Sequence, residues 1–395
     1  MTTNKTTSSD TFSPRLKIPR IVPIGKESRT DEQKEMLSRR PEYNIYTTLA
    51  HHTKLYNRWT DLGQYLLRRS TLPVRDREIV MLRMGWLCQS EYEWSQHARI
   101  AKTDAGLANK DIRRIAEGPD AKGWTNWDRT LLTMADELRY EAMISDATWK
   151  VLRETYSEIE TMDVLFTAAQ YQLVSMALNS AGIQLDPELE DRLPVDLPLP
   201  EVVSYPSSPR LKVPRIPPLP EEQWTEVQRQ MITPQIYDGK VLHIYGTLFR
   251  HPDLYAPRLS FGSFLQRHSS LPPKTRELLI MRTAWLIKAE YEWSHHVSFA
   301  KAAGFSDEDI LRMSRGPEER NWSREHQAVL RAADELRREA FIHDATWQTL
   351  TEFYDIQQIL EIIFTVGGYT MTGLAINNFG IQVEEGYPRF TILSN

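Results

Sequence analysis

A chain of 395 residues with a formal charge of −5 has room for two or three domains, and its Lys and Arg, scattered among Asp and Glu, form no basic stripe for nucleic acid. Its one cysteine, Cys88, excludes an internal disulfide and a C-x-x-C redox pair and suits a reducing compartment. No apolar run reaches the length that spans a bilayer, so the expectation is a cytoplasmic protein with no membrane partner.

In chain order, residues 1–12 are Thr/Ser-rich, lack the apolar centre of a secretory signal and read as a disordered tail. A first domain is expected over 13–186. The spacing predicts a helix over 53–69. Leu72–Pro73 then starts a second helix, whose Ile79, Leu82, Met84, Trp86 and Leu87 call for burial on most sides. A third runs over 92–102 and stops near Gly106. A short helix follows; in the second copy it starts at Ser306 with Asp309 as its capping partner. Helices over 126–141, 145–156 (with Asp146 as cap and Trp149 facing inward) and 158–177 complete seven, with no sheet. Residues 187–207 read as an unpacked Pro-rich linker, and 208–395 as the second domain, its folded part ending near Val383.

The division into two domains rests on a repeat. SPRLKIPRI at 13–21 returns as SPRLKVPRI at 208–216, SEYEWSQH at 90–97 as AEYEWSHH at 289–296, ADELRYEAMISDATW at 135–149 as ADELRREAFIHDATW at 333–347, and NSAGIQ at 179–184 as NNFGIQ at 377–382. The offset is 199 through the central motif, falling to 198 after one extra residue before Gly106. That period is too long for a solenoid and marks a duplicated domain.

Glu93 and His97 stand four apart and so share one helix face, as do Glu292 and His296. Glu78 and Glu277 lie on the preceding helix and reach that face if the two helices pack antiparallel. A carboxylate beside an imidazole is what a proton shuttle needs, and a second carboxylate can serve as acid or base. A bare i,i+4 Glu–His pair is usually a solvated surface pair. Here Tyr92, Trp94, Tyr291 and Trp293 flank it, which points to the wall of a pocket. Two carboxylates and one His could also hold a metal, but a second His at HExxH spacing is missing, and no metal or organic cofactor is expected. Where a redox pair would precede the His the chain has Ser90 and Glu93, then Ala289 and Glu292. Cys88, matched by Ile287, reads as a small buried hydrophobe. His52 and His251 read as capping or packing residues. Tyr171, Tyr369, Asn179 and Asn377 line the pocket or fill the core, and His295, His326 and His343, confined to the second copy, read as surface residues.

The segments LPVRDREIVMLRMGWLCQSEYEWSQHARIAKTDAGL and LPPKTRELLIMRTAWLIKAEYEWSHHVSFAKAAGF resemble the carboxymuconolactone decarboxylase family. The resemblance implies an all-α architecture of two tandem alkyl hydroperoxide reductase D-like domains forming a pseudo-dimer, with homo-oligomers of the fused pair possible. It maps Glu78, Glu93, His97, Glu277, Glu292 and His296 onto the family's polar pocket and implies the branch without the redox cysteines. The function expected is a cofactor-independent decarboxylase, lyase or isomerase acting on an oxygenated, carbonyl- or lactone-bearing small molecule, as in specialised metabolism. The rival expectation is a noncatalytic binding or scaffold protein.

Overall fold

The computed structural model describes residues 16–194, 196–200, 211–232, 236–237 and 240–390. The tail at 1–12 and the end of the expected linker lie outside the described residues. Nine α-helices recur in the same order in each half. In the first they are α1 Asp31–Leu37, α2 Asn44–Leu49, α3 Thr53–Arg68, α4 Val74–Leu87, α5 Glu91–Thr103, α6 Asn109–Glu117, α7 Asn126–Tyr140, α8 Asp146–Thr155 and α9 Glu158–Ala181. In the second they are α10 Glu226–Ile232, α11 His243–Leu248, α12 Pro252–Ser263, α13 Pro273–Leu286, α14 Glu290–Ala302, α15 Asp307–Arg315, α16 Arg324–Glu339, α17 Asp344–Thr351 and α18 Ile356–Phe379.

The expected seven helices per copy omitted α1, α2, α10 and α11. These are too short to hold alone; Leu37, Ile45 and Leu49 are buried and fix them to the core. The expectation of no sheet is also corrected: Ile236–Tyr237 pairs antiparallel with Lys240–Val241. The cap of α8 is Ser145 rather than Asp146: Ser145 accepts from the Thr148 N–H at 3.3 Å, and Asp146 is the first helical residue. The linker's first part is packed rather than free: Leu189 and Leu193 are buried, and Lys102 pairs with Asp191 at 2.7 Å.

Helices α9 and α18 are equivalent in the two halves and pack on each other at the centre. A Cβ at Gly367 would lie 2.5 Å from Leu173 Cγ, so that glycine lets them touch. Helix α18 is long and apolar enough, by length and composition, to cross a membrane, yet its apolar stretch is wholly buried in this fold. That corrects the expectation that no segment reaches such a length: the helix carries Glu361 and several amides, so it shows no unbroken apolar run.

Residues 16–21 and 211–216 of the duplicated SPRLKxPRI motif form two arms, each bonded through its backbone to the end of its own half's last helix and reaching the other half through an arginine. Arg20 donates to Ile342 O at 2.7 Å, pairs with Asp344 and stacks on Trp347 in the second half. Arg215 donates to Ile144 O at 3.0 Å, pairs with Asp146 and stacks on Trp149 in the first. The repeated segments NSAGIQ and NNFGIQ explain where each arm docks. Gly182 and Gly380 end α9 and α18 at φ 69° and 70°, and a Cβ there would meet arm carbonyls at 3.1 and 3.0 Å. Across the same pseudo-twofold axis Arg139 and Arg337 each donate to the other's carbonyl, at 2.8 and 2.6 Å.

Candidate functional site

Each half holds one carboxylate–imidazole cluster, built where two helices fold back on each other. Gln89 and Lys288 take left-handed backbone, φ 51° and 54°, in the tight turns after α4 and α13. The chain therefore reverses, and α5 returns along α4 as α14 does along α13. This brings Glu78 onto His97: Nδ1 lies 2.6 Å from Glu78 Oε2, and Nε2 lies 3.4 Å from Glu93 Oε1. In the second half His296 Nδ1 lies 2.8 Å from Glu277 Oε2, and Nε2 3.3 Å from Glu292 Oε1. Arg77 donates to Glu78 Oε1 at 3.2 Å, and Arg276 to Glu277 Oε1 at 3.4 Å.

All six acid–base residues expected from sequence thus come together, but not in equal roles. Glu78 and Glu277 are sealed behind the rings at 0% and 1% exposure, while Glu93, His97, Glu292 and His296 form cavity walls. Burial disfavours the imidazolium, yet the two carboxylates on each ring outweigh it and hold both histidines up at about 9. Each ring is therefore a cation at neutral pH, fixed from both sides.

Tyr171 stands edge-on to His97 with ring centroids 4.7 Å apart, and Tyr369 edge-on to His296 at 5.2 Å. Burial pushes both phenols well above their usual range, so they remain protonated. Tyr92 and Tyr291 also line the cavities, with their hydroxyls tied to Asp186 and Glu384.

Three expected pocket residues lie elsewhere. Trp94 and Trp293 are core residues, packed on Trp86 and Trp285 at 6.2 and 5.5 Å. They sit one residue from the pocket glutamates, about 100° round the helix, and so face the opposite layer. Asn377 donates to Ile287 O at 2.9 Å and Ala142 O at 3.3 Å, and Asn179 does the mirror task on Cys88 O and Ala340 O. Both asparagines join the halves. One histidine reading changes as well. His295 is a wall residue bonded to Glu384 at 2.7 Å. His52 caps α3 as expected, accepting from the Leu55 N–H at 3.4 Å, and His52 and His251 also pair across the interface with Glu361 at 2.8 Å and Asp163 at 2.9 Å.

The cavities differ in size, about 100 Å³ in the first half and 260 Å³ in the second. Gln170 walls the smaller cavity where the larger one has Gly368, against which Leu265 packs so closely that a Cβ would lie 2.5 Å from its Cδ1. The other two glycines of that helix serve packing as well, since a Cβ at Gly373 would lie 2.2 Å from Ile287 Cδ1. Arg258 and Thr372 also line the larger cavity and were not singled out from sequence. The available signal was their counterparts, Trp59 and Val174, because an arginine matched to a tryptophan in a duplicated core is a change of chemistry.

Fold and site together define an all-α protein with two duplicated carboxylate–imidazole pockets. The sequence pattern of the carboxymuconolactone decarboxylase family matches residues 53–131 and again residues 252–335. The chain is a tandem fusion of two domains of that family. Among solved structures it is similar to a protein of unknown function from Agrobacterium tumefaciens that carries the provisional description antioxidant defence protein AhpD. The identity is 17%, the match covers 35% of this chain and 94% of that one, and the TM-score is 0.32. No curated protein matched the sequence.

Proposed function

We propose that this protein is a cofactor-independent acid–base enzyme, a lyase or isomerase for an oxygenated small molecule bearing a carbonyl group. The observation that carries the reading is the duplicated histidine held between two carboxylates at a cavity wall. In the larger pocket Glu292 takes a proton from the carbon next to the substrate carbonyl. The electron pair moves onto the carbonyl oxygen, and the His296 imidazolium steadies the enolate so formed. Return of the proton to a different carbon completes an isomerisation. In a decarboxylation the carbon–carbon bond breaks instead, carbon dioxide leaves, and the enolate carbon takes its proton from His296. Glu277 acts through the ring: it stabilises the imidazolium and keeps Nδ1 protonated when Nε2 gives up its proton. The sole cysteine, Cys88, is buried with Ile287 as its counterpart, which supports a reaction other than thiol peroxidation.

Comparing metabolites between a strain lacking the protein and its parent identifies the substrate as the compound that accumulates. The purified protein and its His296→Asn variant are then assayed on that compound. Full turnover in a double His97→Asn, His296→Asn variant overturns the acid–base mechanism, and no turnover by the unaltered protein overturns the enzyme reading in favour of a noncatalytic binding protein.

A further inference from the structure

The two pockets share one frame and differ at a charged position. Arg258 and Thr372 stand where the first half has Trp59 and Val174, so a cation and a hydroxyl replace an indole and an isopropyl group. Arg258 is 9% exposed. It donates from Nη2 to Thr372 Oγ1, and its Nη1 lies over Gly262, where a Cβ would come within 2.3 Å. Its Nε has no hydrogen-bond partner, and among the described residues no carboxylate stands within ion-pair distance of the guanidinium. Burial weakens its charged form and the field of Glu292 supports it; an arginine stays charged in either case.

The local charges make the consequence concrete. In the first half Arg77 and His97 balance Glu78 and Glu93. In the second half Arg276 and His296 balance Glu277 and Glu292, which leaves Arg258 as an uncompensated buried cation beside a cavity. Such a charge is costly unless paired, and an anionic oxygen group is the partner that satisfies a guanidinium edge.

We propose that the second pocket seats a carboxylate of its ligand on Arg258 and Thr372, and that the first pocket, walled by Trp59 and Val174 at those positions, does not bind carboxylates. This rests on the reading of the second pocket as the substrate site, and it assigns the two halves different ligands.

Calorimetric titration of the full chain with benzoate, and with benzamide as its neutral counterpart, tests the assignment. The expected result is one benzoate site per chain with benzamide at least about tenfold weaker. Arg258→Gln weakens benzoate by about 30-fold or more and leaves benzamide unchanged, while Arg258→Lys, which keeps the charge, loses less. Should Arg258→Gln fail to fold, the benzoate-to-benzamide ratio of the unaltered protein and the lysine variant still decide. Two equivalent benzoate sites, benzamide as tight as benzoate, indifference to Arg258→Gln, or no saturable benzoate binding each overturn the proposal. The acid–base reading fails separately. Turnover that survives His296→Asn sinks that reading while benzoate still binds through Arg258, and turnover that needs His296 survives even if benzoate ignores Arg258.

Discussion

His251 in the second half lies 2.9 Å from Asp163 in the first, buried at the centre of the molecule. Tyr65 donates to the same carboxylate at 3.0 Å, and His52 with Glu361 repeats the pair in the opposite direction at 2.8 Å. Each half therefore completes the other's buried polar network, as a symmetric dimer would, although one chain supplies both.

Such exchange makes the halves one folding unit. The full chain is expected to unfold in a single urea transition, and either half expressed alone to aggregate, because it exposes α9 or α18. Two resolved transitions, or a stable monodisperse half, count against this. Within the unit, His52→Ala strands Glu361 and should cost roughly 1–3 kcal/mol. The cost is softened by the Ser269 and Ser270 groups that also donate to that carboxylate.

Stability should depend on alkaline pH. Both histidines rise from an ordinary value of about 6.5 to about 9 on folding. A raised folded value means the stabilisation is complete below pH 6.5 and disappears as pH climbs through about 9. The size is roughly 3 kcal/mol per histidine. Urea midpoints measured from pH 6 to pH 10 should fall across that window, and the fall should shrink in His97→Asn, His296→Asn protein. A flat profile would contradict the ion pairing described above.

Turnover should follow the same proton. If the His296 imidazolium is required, activity is lost as pH rises through about 9. Glu277→Gln removes a carboxylate that holds this value up, so the alkaline limb should move to lower pH. His296→Asn should cost about 10²-fold or more in kcat. A Glu277→Gln enzyme with an unmoved limb would show that the carboxylate serves packing alone.

Gly367→Ala should destabilise the protein by about 1–3 kcal/mol while leaving both cavities intact. The added methyl group meets Leu173 where α9 and α18 touch, and a close-packed interface cannot give way cheaply. Thermal melting together with ligand affinity separates these outcomes: a lower melting temperature with unchanged affinity is expected.

The repeat and the helical period carried much of this protein in the sequence. The motifs at 90–97 and 289–296 marked two copies of one all-α domain, and the i,i+4 spacing alone put Glu93 with His97 and Glu292 with His296. Those are local relations, set by 3.6 residues per turn, and need no knowledge of neighbours. Tertiary packing decided which side of each buried helix met a cavity. It sent Trp94 and Trp293 into the core and Asn179 and Asn377 to the seam between halves. It also carried the Arg20 and Arg215 side chains across the seam and left Arg258 charged and uncompensated beside the larger pocket. Periodicity fixes a residue's position around its own helix axis, whereas the layer that axis faces depends on helices brought up from across the chain.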